Sequence, residues 1–247
     1  MKNQLKGILG AALAVAAIPA FGGEPACKAP VCEAPVSPLS GSVSFGYETT
    51  YIFRGQEYGD NAPWAGLDVN YAVNDKFNVN AGVWYINPTS GLPGFDELDL
   101  YAFVSTAVGT GTLSVGGTYF VFPEPGGDAA ELGLKFSQPI GDIVDLGFQY
   151  FYEFTDDGHY LELNAGKSFD ITDKIALGVL AGISYGDSYY GVSGFNHTFA
   201  RATVSYALFD NTTLSAYVGG NFAMDDLEAI CQDSLIHGGA SICVTFP

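Results

Sequence analysis

Six acidic side chains, Glu48, Asp68, Asp99, Glu131, Glu153 and Glu162, occupy polar positions in segments where apolar and polar residues alternate. Lys135 and Arg201 are the main cations of the same parity. Residues two apart on an extended chain share a face. Charges gathered on such a face make and break no bonds; they set a field that draws cations and repels anions. Arg54 stands apart, between Phe53 and Gly55. A glycine directly after it lets the chain turn sharply. Two readings of Arg54 follow from its neighbours. It is a rim arginine paired with Glu57 or Asp60, or it is a charge at the mouth or interior of whatever the strands enclose.

Bond-making chemistry has little support. His159, His197 and His237 fall in or beside three separate long loops that could bring them together at the outer face, but the sequence holds neither a Gly-x-Ser-x-Gly elbow nor a His-x-x-x-His pair. Asp156-Asp157 and Asp225-Asp226 offer carboxylates without the regular oxygen-ligand spacing of a calcium loop. Gly116-Gly117 and Gly219-Gly220 sit within strand-like segments, where glycine relieves crowding. The residues therefore imply no enzyme, no catalytic residue, no metal centre and no cofactor. Four cysteines form two local pairs, Cys27 with Cys32 and Cys231 with Cys243. Export makes disulfides chemically accessible, and both pairs are disulfide candidates; spacing alone does not fix the connectivity. A Cys231–Cys243 bridge would place Cys243 on the polar parity and draw the segment 223–238 inward.

The elements that must carry these charges are strands. Alternation recurs through 77–83, 97–102, 161–164 and 214–221. It predicts strands over 43–54, 65–73, 77–86, 97–108, 112–122, 130–137, 144–154, 160–169, 175–185, 196–208, 213–222 and 239–246. Most exceed the five or six residues usual in soluble sheets and suit a tilted membrane crossing of roughly 9 to 11. Short connections (74–76, 109–111, 138–143, 170–174, 210–212) alternate with long ones (55–64, 87–96, 123–129, 186–195, 223–238). The fold expected is all-β: a transmembrane antiparallel β-barrel of about twelve strands, with short periplasmic turns and long outer loops. Tyr47, Tyr51, Phe53, Leu67, Leu100, Val104, Val179, Val204 and Val218 would face lipid. Tyr51, Phe53, Trp64, Tyr71, Phe77, Tyr85, Phe154, Phe169, Tyr185 and Phe209 lie near strand ends, where aromatics form interfacial girdles.

The N-terminus reads as an export signal. Lys2 and Lys6 precede an apolar run from Ile8 to Ile18, and Ala20-Phe21-Gly22 offers small residues for cleavage. The run is too short for a membrane-spanning helix, which needs roughly 20 residues. Residues 1–22 form the signal peptide, 23–40 a Pro/Ala-rich linker, and 41–247 the barrel. Losing residues 1–22 removes two lysines and no acid, taking the formal charge from −18 to −20. So acidic a chain, lacking any basic patch, excludes nucleic-acid binding.

The segment Val43-Ser44-Phe45-Gly46-Tyr47-Glu48-Thr49-Thr50-Tyr51-Ile52-Phe53-Arg54-Gly55-Gln56, ending Tyr-x-Phe-Arg-Gly, resembles the TorF family of porins. The resemblance extends loosely over 41–247 as strand rhythm. It implies an outer-membrane barrel with channel activity and no settled substrate. The expected function is a porin-like channel in the cell outer membrane of a Gram-negative bacterium, passing small polar solutes or ions by diffusion and favouring cations. The alternative is a structural or surface-interaction barrel without channel activity, plugged by large inward residues such as Trp84, Phe103, Phe120 and Phe151. Partners would be outer-membrane lipid and the barrel-assembly machinery, which reads a terminal aromatic; here Phe246 precedes Pro247. A homo-oligomer is compatible with the sequence and not demanded by it.

Overall fold

The computed structural model describes residues 38–91, 94–191 and 193–247. The proposed signal peptide, nearly all of the linker, and Cys27 and Cys32 lie outside the described residues. Twelve strands follow in order: β1 (Leu39–Phe53), β2 (Gln56–Ala72), β3 (Phe77–Ile86), β4 (Glu97–Val108), β5 (Gly111–Val121), β6 (Asp128–Ile140), β7 (Val144–Glu153), β8 (Gly158–Asp170), β9 (Ile175–Asp187), β10 (Gly194–Phe209), β11 (Thr212–Ala223) and β12 (Leu235–Phe246). Each pairs antiparallel with its sequence neighbours, and β12 returns to β1 with Gly41 opposite Phe246 and Glu48 opposite Gly239. The sheet is therefore closed. Closure satisfies the backbone groups of every strand and leaves no edge, the condition for a sheet to sit in lipid.

Alternation divides the wall as expected. Phe45, Leu100, Val104, Leu163, Val204 and Val218 project outward, and Leu163 is 58% exposed. Interleaved residues such as Glu48, Asp99, Phe103, Glu131 and Phe151 are buried inside. Large exposed apolar area all round a closed sheet is what a bilayer covers and water does not. Tyr71, Phe77, Tyr85, Phe154, Phe169, Tyr185 and Phe209 are exposed at strand ends, as girdle residues would be. Gly116 shows why glycine occupies an inward strand position. A Cβ there would press on the Ala102 carbonyl and stand 2.6 Å from the Phe103 Cα.

The first hairpin departs from the sequence reading. The span 55–64 is not a loop, because β2 begins at Gln56 and pairs along β1 from Phe53↔Gln56 onward. Arg54 and Gly55 form a two-residue turn with φ of 48° and 88°. Positive φ at both central positions matches the twist of a hairpin. Gly59, Asp60, Asn61 and Pro63 carry loop chemistry, but cross-strand pairing overrides it. The β1–β2 register shifts between Tyr51 and Ile52. Tyr51 and Phe53, expected on the lipid face, are instead buried inside, and so is Trp64. The other connections are 73–76, 109–110, 141–143, 171–174 and 210–211 at one end, and 87–96, 122–127, 154–157, 188–193 and 224–234 at the other, where all but 154–157 are longer.

Candidate functional site

The interior is built on two themes, an aromatic mass toward the long-loop end and polar networks along the wall. Tyr51, Phe53, Trp64, Trp84, Ile86, Phe95 and Phe120 pack as one cluster, and Phe103, Phe151, Tyr160 and Tyr189 as another. Trp84, Phe103, Phe120 and Phe151, the inward aromatics anticipated as filling, are all buried. Tyr189 comes from a 3-10 turn, Tyr189–Gly191, in the β9–β10 loop.

Arg54 lies between the two clusters. The hairpin turn folds its side chain inward, where its Nη1 and Nη2 donate to the Glu131 carboxylate at 2.6 and 2.8 Å. The same guanidinium meets the Tyr189 hydroxyl. It lies over the rings of Phe151 at 4.0 Å and Phe53 at 4.7 Å. Its carboxylate partner is Glu131 and neither Glu57 nor Asp60, so the rim-arginine reading is replaced by a buried, bidentate ion pair joining the β1–β2 turn to β6. Planar guanidinium suits both contacts, since it matches a carboxylate edge-on and aromatic rings face-on.

The other residues proposed for the lumen are placed by their contacts. Glu48 accepts from Trp64 Nε1 at 3.1 Å and from the Tyr217 hydroxyl, and Arg201 covers the Tyr217 ring at 4.2 Å. Asp68 accepts from the Tyr101 hydroxyl at 2.6 Å. Lys135 Nζ rests 3.8 Å from the Phe103 ring centre. Glu162 accepts from Tyr160, Gln149 and Asn164. Glu153 accepts from the backbone N–H groups of Thr155 and Asp156, and so fastens the turn that follows β7. Asp99 is fully buried, and neither carboxyl oxygen makes a hydrogen bond among the described residues.

The loop after β11 turns inward, as the sequence reading of 223–238 anticipated, but a disulfide is not the cause. Its short helix α1 (Asp225–Ala229) buries Leu227. A Cβ at Gly55 would lie 2.5 Å from Leu227 Cδ1, so the helix seats directly on the Arg54–Gly55 turn. Gln232 Oε1 accepts from the Glu57 N–H, and Asn221 Nδ2 donates to the Gly55 carbonyl. Asp226 is also turned inward, receives Asn196 Nδ2 at 3.2 Å, and has its pKa raised by burial. Cys231 is a free, exposed thiol, so the proposed Cys231–Cys243 bridge does not form. Their strand and loop positions explain this: Cys243 faces Ser44 and Thr213 inside the barrel, far along β12 from the loop that carries Cys231.

The three histidines do not converge. His159 packs against Tyr150 and Tyr152, His197 is buried against Ser184 and Asn196, and His237 meets Tyr217. No group of three or more His, Cys, Asp or Glu among the described residues could hold a metal ion.

No family model matches the chain, and no curated protein matches it. The TorF likeness of residues 43–56 is thus a likeness of motif. Solved structures do match. A Pseudomonas putida F1 outer-membrane channel aligns over 86% of this chain and 97% of its own, with TM-score 0.54 and 11% identity. The KdgM porin aligns over 83% and 99%, with TM-score 0.55 and 12% identity. The NanC porin gives 84%, 99%, 0.53 and 12%. The chain shares their fold. Sequence identity this low carries the architecture and leaves the solute to be argued from the residues.

Proposed function

We propose that the protein is a porin-like channel of the outer membrane, passing small polar solutes or ions by passive diffusion with a preference for cations. The observation that carries this is a closed twelve-stranded wall with an apolar exterior and a polar, mainly acidic interior. Such a wall is at home in lipid, and charged side chains lining its inside are the means by which a pore selects. Glu48, Asp68, Asp99, Glu131, Glu153 and Glu162 outnumber Lys135, Arg201 and Arg54 there, and Arg54 is neutralised by Glu131. The Tyr-x-Phe-Arg-Gly ending of β1 supports placing the channel with TorF-type porins.

A KdgM porin has been captured with oligogalacturonate. A polyanion of that kind suits this interior poorly, because it would pass an excess of carboxylates. Small neutral or cationic solutes meet no such barrier.

The packed aromatics around Arg54 favour one competing reading, a barrel closed by its own side chains. Solute-entry assays on proteoliposomes separate the two. A channel admits small sugars and amines faster than protein-free vesicles; equal rates for both would establish the closed barrel.

A further inference from the structure

A cavity of about 180 Å³ opens at the long-loop end, lined by Phe53, Tyr58, Phe120 and Phe122 together with Glu97 and Glu153. Thr155 and Asp156, both exposed, form its rim and connect it to the outside. Among the described residues, no lysine or arginine lines it. Three features bear on what it would hold. Its volume is below the 300–1,000 Å³ of pockets for drug-sized ligands, so the occupant is small. Its wall is mostly aromatic, with the Phe120 ring edge-on to Phe53 at 5.7 Å and parallel to Phe122 at 6.5 Å. Its charged groups among the described residues are the carboxylates of Glu97, Glu153 and Asp156, beside the hydroxyls of Tyr58, Tyr189 and Thr155, and Glu153 is held in position by two backbone N–H groups at 2.7 and 2.8 Å.

We infer that this cavity binds a small quaternary ammonium ion of choline size. A hydrated metal ion would lose its water to rings that replace it badly. An anion would meet carboxylates. A neutral solute would use the rings and gain nothing from the acids. A quaternary ammonium gives up little hydration, presents an apolar surface to the rings, and is attracted both by their faces and by the acids. The protein already lays one cation on rings of this wall, since the Arg54 guanidinium sits over Phe53 at 4.7 Å and Tyr189 at 5.1 Å. The inference rests on the outward placement of the long loops and requires no conduction.

The test is calorimetric titration of the purified full-length barrel in a maltoside detergent with choline chloride. The control ligand is 3,3-dimethylbutanol, its neutral isostere. Choline should bind, with the alcohol at least about tenfold weaker. Phe120→Leu, which keeps an apolar side chain and removes the ring, should weaken choline about 3- to 30-fold. Glu153→Gln, which removes the charge and keeps one of the two hydrogen bonds to the loop, should weaken it while leaving the alcohol unchanged. Retention of the heat-modifiable electrophoretic shift certifies folding of each variant. Equal affinity for choline and the alcohol, no binding of choline up to roughly 100 mM, or indifference to Phe120→Leu would each overturn the inference. Binding without channel activity would refute the proposed function alone, and conduction without binding would refute this inference alone.

Discussion

Replacing Arg54 with methionine should be among the most damaging single changes available. The side chains of Arg54 and Glu131 are 4% and 0% exposed, and two short hydrogen bonds join them. Arg54→Met leaves the Glu131 carboxylate buried without its cation. Breaking a buried pair from one side costs about 3–5 kcal/mol. The positive φ of residue 54 penalises methionine and arginine alike, so backbone strain cancels from the comparison. Stacking on Phe151 is lost as well, a contribution of about 2 kcal/mol when desolvated. It belongs to the same reorganisation and is not added again. Glu131→Leu should cost a similar amount by removing the carboxylate that balances the buried guanidinium. The double replacement removes both charges, and apolar substitutes for a buried pair are close to neutral. It should recover most of the loss. The assay is equilibrium unfolding in phospholipid vesicles, followed by fluorescence of Trp64 and Trp84, both buried beside this cluster. A loss below about 1 kcal/mol for Arg54→Met, or a double variant whose loss equals the sum of the two singles, would refute the buried-pair account.

Other consequences follow from the same architecture. Val204→Lys places a charge on the lipid face and should destabilise the barrel by about 2–4 kcal/mol near the membrane midplane, whereas Ser205→Lys on the inner face should cost far less; the same unfolding assay compares them. Cys231 should react with a membrane-impermeant maleimide on intact cells, and absence of labelling there with labelling after lysis would reverse the assigned orientation. Burial raises the pKa of Asp226, so ionising it disfavours the folded loop, and that penalty grows as pH rises through the raised pKa. Asp226→Asn should therefore protect the loop against proteolysis at pH 7, with the advantage vanishing below the ordinary aspartate pKa; equal protection at both pH values would contradict the burial argument.

Regular strands were legible because each carries its facing pattern locally. The span read as 77–86 is Phe77–Ile86 in the structure, and that read as 97–108 is Glu97–Val108. Glu48, Asp99, Glu131 and Glu153, read from the same parity, are buried. The first hairpin was not legible by those means. Asp60, Asn61 and Pro63 are poor strand residues in isolation, and only pairing against β1 makes them extended. One local signal was available: Arg54-Gly55 places glycine at the second position of a two-residue turn. The irregularity inserts Tyr58 as an extra residue in β2 opposite the Tyr51–Ile52 step, and beside it Tyr51 and Phe53 are buried where strict alternation along β1 would have put them on the lipid face. The Arg54–Glu131 pair joins residues 77 apart in sequence, and nothing in a local pattern links them. Cysteine spacing misled for the converse reason. Cys231 and Cys243 are near in sequence but separated by the height that β12 climbs.

The central claim is an open, cation-favouring path through the acidic interior. Current through the purified barrel in a planar bilayer, recorded across a potassium chloride gradient, tests it most directly. Stepwise conductance with a reversal potential of the sign set by potassium is expected, strongest at low salt where screening is weakest. Bilayers that stay at baseline current, or a reversal potential set by chloride at low and moderate salt alike, would contradict it.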